Sequence, residues 1–200
     1  SATYNAAAPS ATDRCFLSSN PLIPDSVGVY SEVSRRLVAP LNMNTAEVTI
    51  YGAFYYNDNL VQGSFDILGL VSGNSNITNC RWFVGITDNS LSPRQVSLSV
   101  RTSTGAYSVE HNLITGTVRF VLKYSAGSLR GIVNGVTYTT VVTGTLVGTG
   151  TLNYNLFNAN TGSWNIPFPF PSYELGIKTT ALSDAEQDQL YADLLLRYPL

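Results

Sequence analysis

Charge is scarce in this chain. Asp, Glu, Lys and Arg make up 12% of its 200 residues, and 11 basic against 13 acidic side chains leave a net charge of −2. Nucleic-acid binding draws most of its affinity from clustered Lys and Arg on phosphates, so that class is excluded. The same shortage excludes a polybasic membrane-surface protein. Only two of the basic residues are lysines, Lys123 and Lys178. Histidine occurs once, as His111, and cysteine twice, as Cys15 and Cys80. With no close cysteine pair and a single histidine, a zinc site is not expected. The two cysteines read as unpaired structural thiols; a disulfide between them needs a geometry that spacing does not supply. No run approaches the ~20 apolar residues of a spanning helix, so no membrane insertion is expected. The chain opens Ser1-Ala2-Thr3-Tyr4, without the basic start and apolar run of a secretory signal. It also opens without Met, which leads to the expectation of a processed product or a piece of a longer protein.

Uncharged hydrogen-bonding residues take the place of charge. Ser, Thr and Asn number 21, 20 and 17, and Tyr, at 12, is the commonest aromatic. Such a surface suits neutral, hydroxyl-rich ligands and durable extracellular or virion proteins. A chain of this length buries about 70% of its unfolded surface and needs no metal or disulfide framework to fold.

Residues 1–45, punctuated by Pro9, Pro21, Pro24 and Pro40, read as an irregular, extended N-terminal arm of the same domain. From residue 46 the pattern changes to strands, and 46–200 reads as the body of the fold. Residues 47–56 are β-branched and aromatic, and 64–71 and 81–87 are further apolar runs. In 95–101, Val96, Leu98 and Val100 alternate with serines. In 117–124, Val118, Phe120, Leu122 and Tyr124 alternate with Arg119, Val121 and Lys123. The latter set reads as the solvated side of a half-buried strand. Runs at 128–133 and 136–142 flank Asn134-Gly135, a pair suited to the positive φ angles of a two-residue hairpin. Residues 151–157 and 173–178 complete the strands. Strands at this spacing predict an antiparallel sandwich or barrel rather than βαβ units.

One segment has helical periodicity. Ser183 and Glu186 form an S-x-x-E capping box, and Leu190, Tyr191, Leu194, Leu195 and Tyr198 share one helical face. Asp184 and Glu186 in the first turn and Arg197 in the last suit the helix dipole. The prediction is one short C-terminal helix over 183–197.

Two stretches resemble the concanavalin A-like lectin/glucanase superfamily, which includes laminin-G-like domains. The first runs from Val118 through Tyr124 and Gly127 to Val133-Asn134-Gly135. It is similar to the family's hairpin pair. The second, Tyr173-Glu174-Leu175-Gly176-Ile177 followed by Ala181-Leu182-Ser183-Asp184-Ala185-Glu186 and Leu190-Tyr191, is similar to its closing strand and helix. The match covers roughly residues 115–198 by motif and 46–110 by strand pattern alone. The resemblance implies an all-β, antiparallel jelly-roll sandwich. It also implies glycan-binding domains, glycosidases, lyases, adhesion modules and phage or viral fibre proteins as functional possibilities, because fold alone does not decide function.

The residues narrow these possibilities. A glycosidase needs two carboxylates about 5–9.5 Å apart across a sugar. Glu47, Asp66, Glu110 and Glu174 are isolated, and Asp184, Glu186 and Asp188 are better read as helix capping and a solvated face. A lyase would draw on His111, Arg119, Lys123 and Tyr124. Calcium would have to use Asn57-Asp58-Asn59 or Asp88-Asn89-Ser90, but each offers one carboxylate and also fits an ordinary turn, so no cofactor or metal is expected. The aromatics are more suggestive, because sugars stack their apolar faces on rings while amides and carboxylates take the hydroxyls. Trp164 lies in a polar loop with Asn158, Asn160 and Asn165, and Tyr55, Tyr56 and Asp58 form a second patch. Trp164 as a loop anchor or subunit contact is the competing reading, and Trp82 reads as core. The function expected is therefore a non-enzymatic module binding a cell-surface glycan or receptor, in a phage or viral tail fibre or an extracellular adhesin. A polysaccharide-degrading enzyme and a structural virion component are the alternatives. A homo-oligomer, a trimer for a fibre domain, is compatible with that setting, on a virion or outside the cell.

Overall fold

The computed structural model describes residues 16–17, 29–30, 37–41, 46–58, 65–72, 80–87, 93–125, 127–147, 152–156, 158–160, 165–167 and 170–199. The strands at 16–17, 29–30, 37–41, 65–72, 152–156, 158–160 and 165–167 are described by backbone pairing alone, as are residues 80 and 87. The strands, in chain order, are β1 (Phe16–Leu17), β2 (Val29–Tyr30), β3 (Leu37–Leu41), β4 (Val48–Tyr56), β5 (Phe65–Ser72), β6 (Cys80–Thr87), β7 (Gln95–Thr102) and β8 (Gly105–Asn112). They continue as β9 (Gly116–Ser125), β10 (Ser128–Val133), β11 (Val136–Val141), β12 (Leu152–Leu156), β13 (Asn158–Asn160), β14 (Asn165–Pro167) and β15 (Ser172–Lys178). Among the described residues a single helix, α1 (Asp184–Arg197), follows.

The strands form a seven-stranded sheet, β1-β2-β15-β4-β9-β10-β11, and a six-stranded sheet, β3-β12-β5-β6-β7-β8, with β13 and β14 as a separate hairpin. Neighbouring strands in both sheets pair antiparallel. The arrangement follows from period-2 patterning. Ile50, Phe54 and Tyr56 of β4 and Val118, Phe120 and Leu122 of β9 meet Trp82, Val84 and Ile86 of β6 and Val96, Leu98 and Val100 of β7 in one core. Each fully buried side chain of this size contributes about 1.5–3 kcal/mol from apolar burial. Trp82, read as core from its apolar strand, is fully buried. The Asn134-Gly135 turn joins β10 to β11 with φ of 45° and 85°, the conformation its sequence indicates.

The strands read from the sequence and those of the structure differ at three places. The stretch read as irregular contributes β1, β2 and β3, short strands that extend both sheets. Pro40 is tolerated in β3 because that strand is a sheet edge. β8 has no clear apolar alternation, because it too is an edge and buries only Val109. Residues 158–167, read as a polar loop, begin and end in β13 and β14.

Helix α1 starts where its capping box indicates. The Ser183 hydroxyl accepts from the Glu186 backbone N–H, and the Glu186 carboxylate accepts from the Ser183 backbone N–H. The expected apolar face is corrected at Leu195, which is exposed; Leu194 and Gln187 are the two buried positions. The physical reason is the surface beneath. Gln187 lies over two backbone carbonyls, of Val121 and Arg130, and its Nε2 donates to both at 3.0 and 3.1 Å.

Two substitutions separate these contributions. Ser183→Ala removes the cap and costs about 0.5–2 kcal/mol. Leu194→Ala opens a cavity beneath α1 and costs about 2–5 kcal/mol. Chemical denaturation of both variants checks the ranking, and an unchanged midpoint for Leu194→Ala refutes the docking of α1 through this residue.

Candidate functional site

Short connections bring several polar side chains to one end of the sandwich. β4 finishes at Tyr56 opposite Gly116, the first residue of β9, and β7 begins at Gln95 opposite Asn112, the last residue of β8. The Tyr56 ring is buried against Phe170, with centroids 5.3 Å apart, while its hydroxyl donates to Asp58 Oδ1 at 2.6 Å. Arg94 Nε reaches the same oxygen at 3.2 Å. Gln95 Nε2 donates to Asn112 Oδ1 at 2.9 Å, and the Arg94 carbonyl accepts from the Leu113 N–H at 2.7 Å. Ile114 follows, 78% exposed. Asp58 is thus a carboxylate oriented by two donors on one oxygen, with a side chain 66% exposed. Arg94, Gln95, Asn112 and Ile114 are absent from the sequence reading. They lie 36 or more positions from Asp58, and no local motif joins them.

The second patch divides. Successive strand residues point to opposite faces. Tyr56 therefore enters the core, and Tyr55 lies on the outer face of the seven-stranded sheet, where its neighbour is Tyr173 at the bulge in β15. Burial raises the Tyr173 pKa, with a smaller contribution from Tyr55. Tyr173 in turn stacks on Tyr198 with centroids 5.7 Å apart. Only the Tyr56 hydroxyl, not its ring, reaches Asp58.

Asn158, Asn160 and Asn165 sit on the β13–β14 hairpin, where Asn160 pairs with Asn165. Their side chains and the whole of Trp164 lie outside the described residues, as do Asn59, Asp88, Asn89, Cys15 and the Cys80 side chain. Both hairpin strands lie against β5. β12 runs antiparallel to β5 from Ser72 to Gly69, so the chain leaves β12 heading toward Phe65. Phe65 pairs with Thr87, and Thr87 with Gln95. The hairpin strands therefore lie toward the end of the sandwich that carries Asp58, Arg94 and Asn112.

The residues a lyase would need are dispersed. His111 is on β8, its Nδ1 2.8 Å from the Tyr138 hydroxyl, and burial pushes its pKa down. Tyr124 points into the core. Arg119 and Lys123 correct the expectation of a solvated strand side: both are buried. Arg119 Nε donates to the Tyr198 carbonyl at the end of α1, and Lys123 Nζ pairs with Asp184. Lys123 stands directly opposite Arg130 across β9 and β10, and Arg130 pairs with Asp188 at 2.8 Å. Asp184 and Asp188, one helical turn apart, thus neutralise two cations that would otherwise repel. Alternation along β9 shows which residues share a face, but the covering helix decides whether that face meets water. Among the described residues no three His, Cys, Asp or Glu side chains gather as a metal site.

No family model matches the sequence, and no curated protein matches it. Solved structures do match. The botulinum neurotoxin type C structure whose cell entry depends on two ganglioside molecules is 13% identical, with a TM-score of 0.63 over 96% of this chain and 46% of its own. A native heptameric SAP-like pentraxin from Limulus polyphemus is 11% identical, with a TM-score of 0.55 over 74% and 70%. The Ruminococcus gnavus IT-sialidase CBM40 is 16% identical, with a TM-score of 0.57 over 82% and 96%. The chain spans about half the length of the neurotoxin chains it matches. These likenesses show the fold alone, an antiparallel jelly-roll β-sandwich.

Acid tests the α1 contact. The hydrogen bond and charge of Lys123 hold the Asp184 carboxyl below its ordinary pKa. A depressed folded-state pKa gives stability that is present above the unfolded value, about pH 4, and lost as pH falls through the folded value. Melting temperature should therefore decline below about pH 4, and Asp184→Asn should flatten part of that decline. Parallel wild-type and variant curves from neutral to acid pH would show that the pair contributes nothing.

Proposed function

We propose that this chain is a non-enzymatic recognition domain that binds a neutral, hydroxyl-rich glycan of a cell surface at the Asp58 end of the sandwich. The observation that carries the reading is the pre-oriented polar group at that end. Tyr56 and Arg94 both hold Asp58 Oδ1, which leaves Oδ2 as an acceptor for sugar hydroxyls. Asn112, its oxygen engaged by Gln95, offers its amide N–H groups, and Ile114 adds apolar surface. In this reading Trp164, with Asn158, Asn160 and Asn165, is assigned the stacking ring and further amides, because the described backbone of the hairpin strands lies toward the same end. Tyr55, on the outer face, belongs to a separate surface. A neutral sugar has no charge to steer it, so affinity depends on stacking and on polar groups already held in place.

The similar structures support a binding role. One neurotoxin neighbour depends on gangliosides for cell entry, and another binding domain is in complex with rat synaptotagmin II. A cell-surface glycan is the partner we infer, with a protein receptor as the second reading that the synaptotagmin complex favours. The setting inferred is extracellular or on a virion, as an adhesin or a phage or viral tail-fibre domain.

A glycan array, read beside binding to whole cells, tests this. Trp164→Ala and Asp58→Asn should each weaken binding about tenfold or more, or 1.4 kcal/mol, with melting temperature nearly unchanged. Binding that survives both changes removes this end as the site. Cleavage of the arrayed polysaccharides would replace the reading with an enzymatic one.

A further inference from the structure

Among the described residues the two sheets end in four edge strands, and three of them carry features that block pairing with another chain. β1 is two residues long, and β3 contains Pro40. β8 carries Glu110, and its Ser108 carbonyl accepts from the Thr140 hydroxyl at 3.3 Å. β11 is different. Its sequence, Val-Thr-Tyr-Thr-Thr-Val, has no charge and no proline, and its register with β10 runs unbroken for all six residues. Edge strands without such protection invite pairing with another chain.

The free groups of β11 follow from the hairpin. A two-residue turn closes on a hydrogen-bonded pair, here Val133 with Val136, and hydrogen-bonded pairs then alternate along the strands. Val136, Tyr138 and Thr140 therefore bond to β10. Thr137, Thr139 and Val141 direct their backbone N–H and C=O outward, and their side chains are exposed, Val141 at 75%. Tyr138 and Thr140 face inward, to His111 and Ser108.

We propose that this edge pairs with a second copy of the chain, antiparallel, about a two-fold axis through Thr139. That axis sets Thr139 opposite Thr139 of the second copy, Thr137 opposite Val141, and Val141 opposite Thr137. Each outward residue then exchanges both backbone hydrogen bonds with its counterpart, and the two seven-stranded sheets join into one. β-Branched side chains meet β-branched side chains across the junction, a favourable cross-strand pairing. Charge also fits a second copy. β11 has no ionisable side chain except Tyr138, and Arg130, its register neighbour behind Thr139, is neutralised by Asp188. A closed two-fold contact uses up the edge, so assembly stops at the dimer.

Light scattering after size exclusion tests this on the 200-residue chain without any ligand, so its outcome is independent of the glycan reading. At about 100 µM, where mass action favours association, the expected mass is twice 21.6 kDa. Thr139→Pro deletes an outward N–H that β10 does not use and should give a monomer. Thr139→Lys, which sets two cations against each other on the axis, should also give a monomer, with the dimer partly restored at high salt. Circular dichroism checks that each variant is folded, and the lysine variant stands in if the proline variant is not. A monomeric wild type, a trimer or larger assembly, or a dimer that persists in a folded variant overturns the proposal.

Discussion

Strand β9 is buried on both faces, and the rest of the molecule is arranged around that constraint. Its inward residues Val118, Phe120 and Leu122 require the six-stranded sheet above them. Its outward residues Arg119 and Lys123 require something else, because a charge taken out of water without a partner is far costlier than an exposed one. Helix α1 meets that requirement with a polar underside. Asp184 pairs with Lys123, Asp188 with Arg130, Gln187 with two sheet carbonyls, and the carbonyl of Tyr198 with Arg119. The capping box, the acidic first turn and the spacing of the two aspartates therefore serve one contact.

The same packing orders the surface. With α1 over β9 and β10 on the outer side and the core between the sheets, exposed polar groups collect where strands turn. Tyr56 links the two environments: its ring fills the core beside Phe170, and its buried hydroxyl donates to the exposed Asp58. Arg94 and Asn112 reach this end because β7 and β8 form a hairpin whose open end lies there. In the binding we propose, rigidity at this end comes from the core residues immediately beneath it. The β11 edge belongs to a different region, the lateral margin of the sheet, where no further strand stands among the described residues.

Much of this was legible in the chain. Period-2 alternation marked β7 and β9, Asn134-Gly135 marked the β10–β11 turn, and Ser183 with Glu186 marked the start of α1, because each depends on neighbours close in sequence. Apart from β11, the edge strands were not legible. β8 buries only Val109, and β1 to β3 lie in a proline-punctuated stretch, so their strand character comes from the partners beside them. Tyr55 and Tyr56 looked like one patch because they adjoin, although alternation sends them to opposite faces.

What the sequence determined by itself is the fold class, the apolar half of each central strand, the hairpin turn and the capped helix. All of these arise from interactions a few residues apart. Only the tertiary structure decided that Arg119 and Lys123 are covered, that Leu195 is exposed while Gln187 is buried, and that Asp58, Arg94 and Asn112 share one end. Burial belongs to a face only once another element is laid across it. The elements that meet there, β9 with α1 and the end of β4 with the start of β7, are brought together by sheet order rather than by any pattern within either of them.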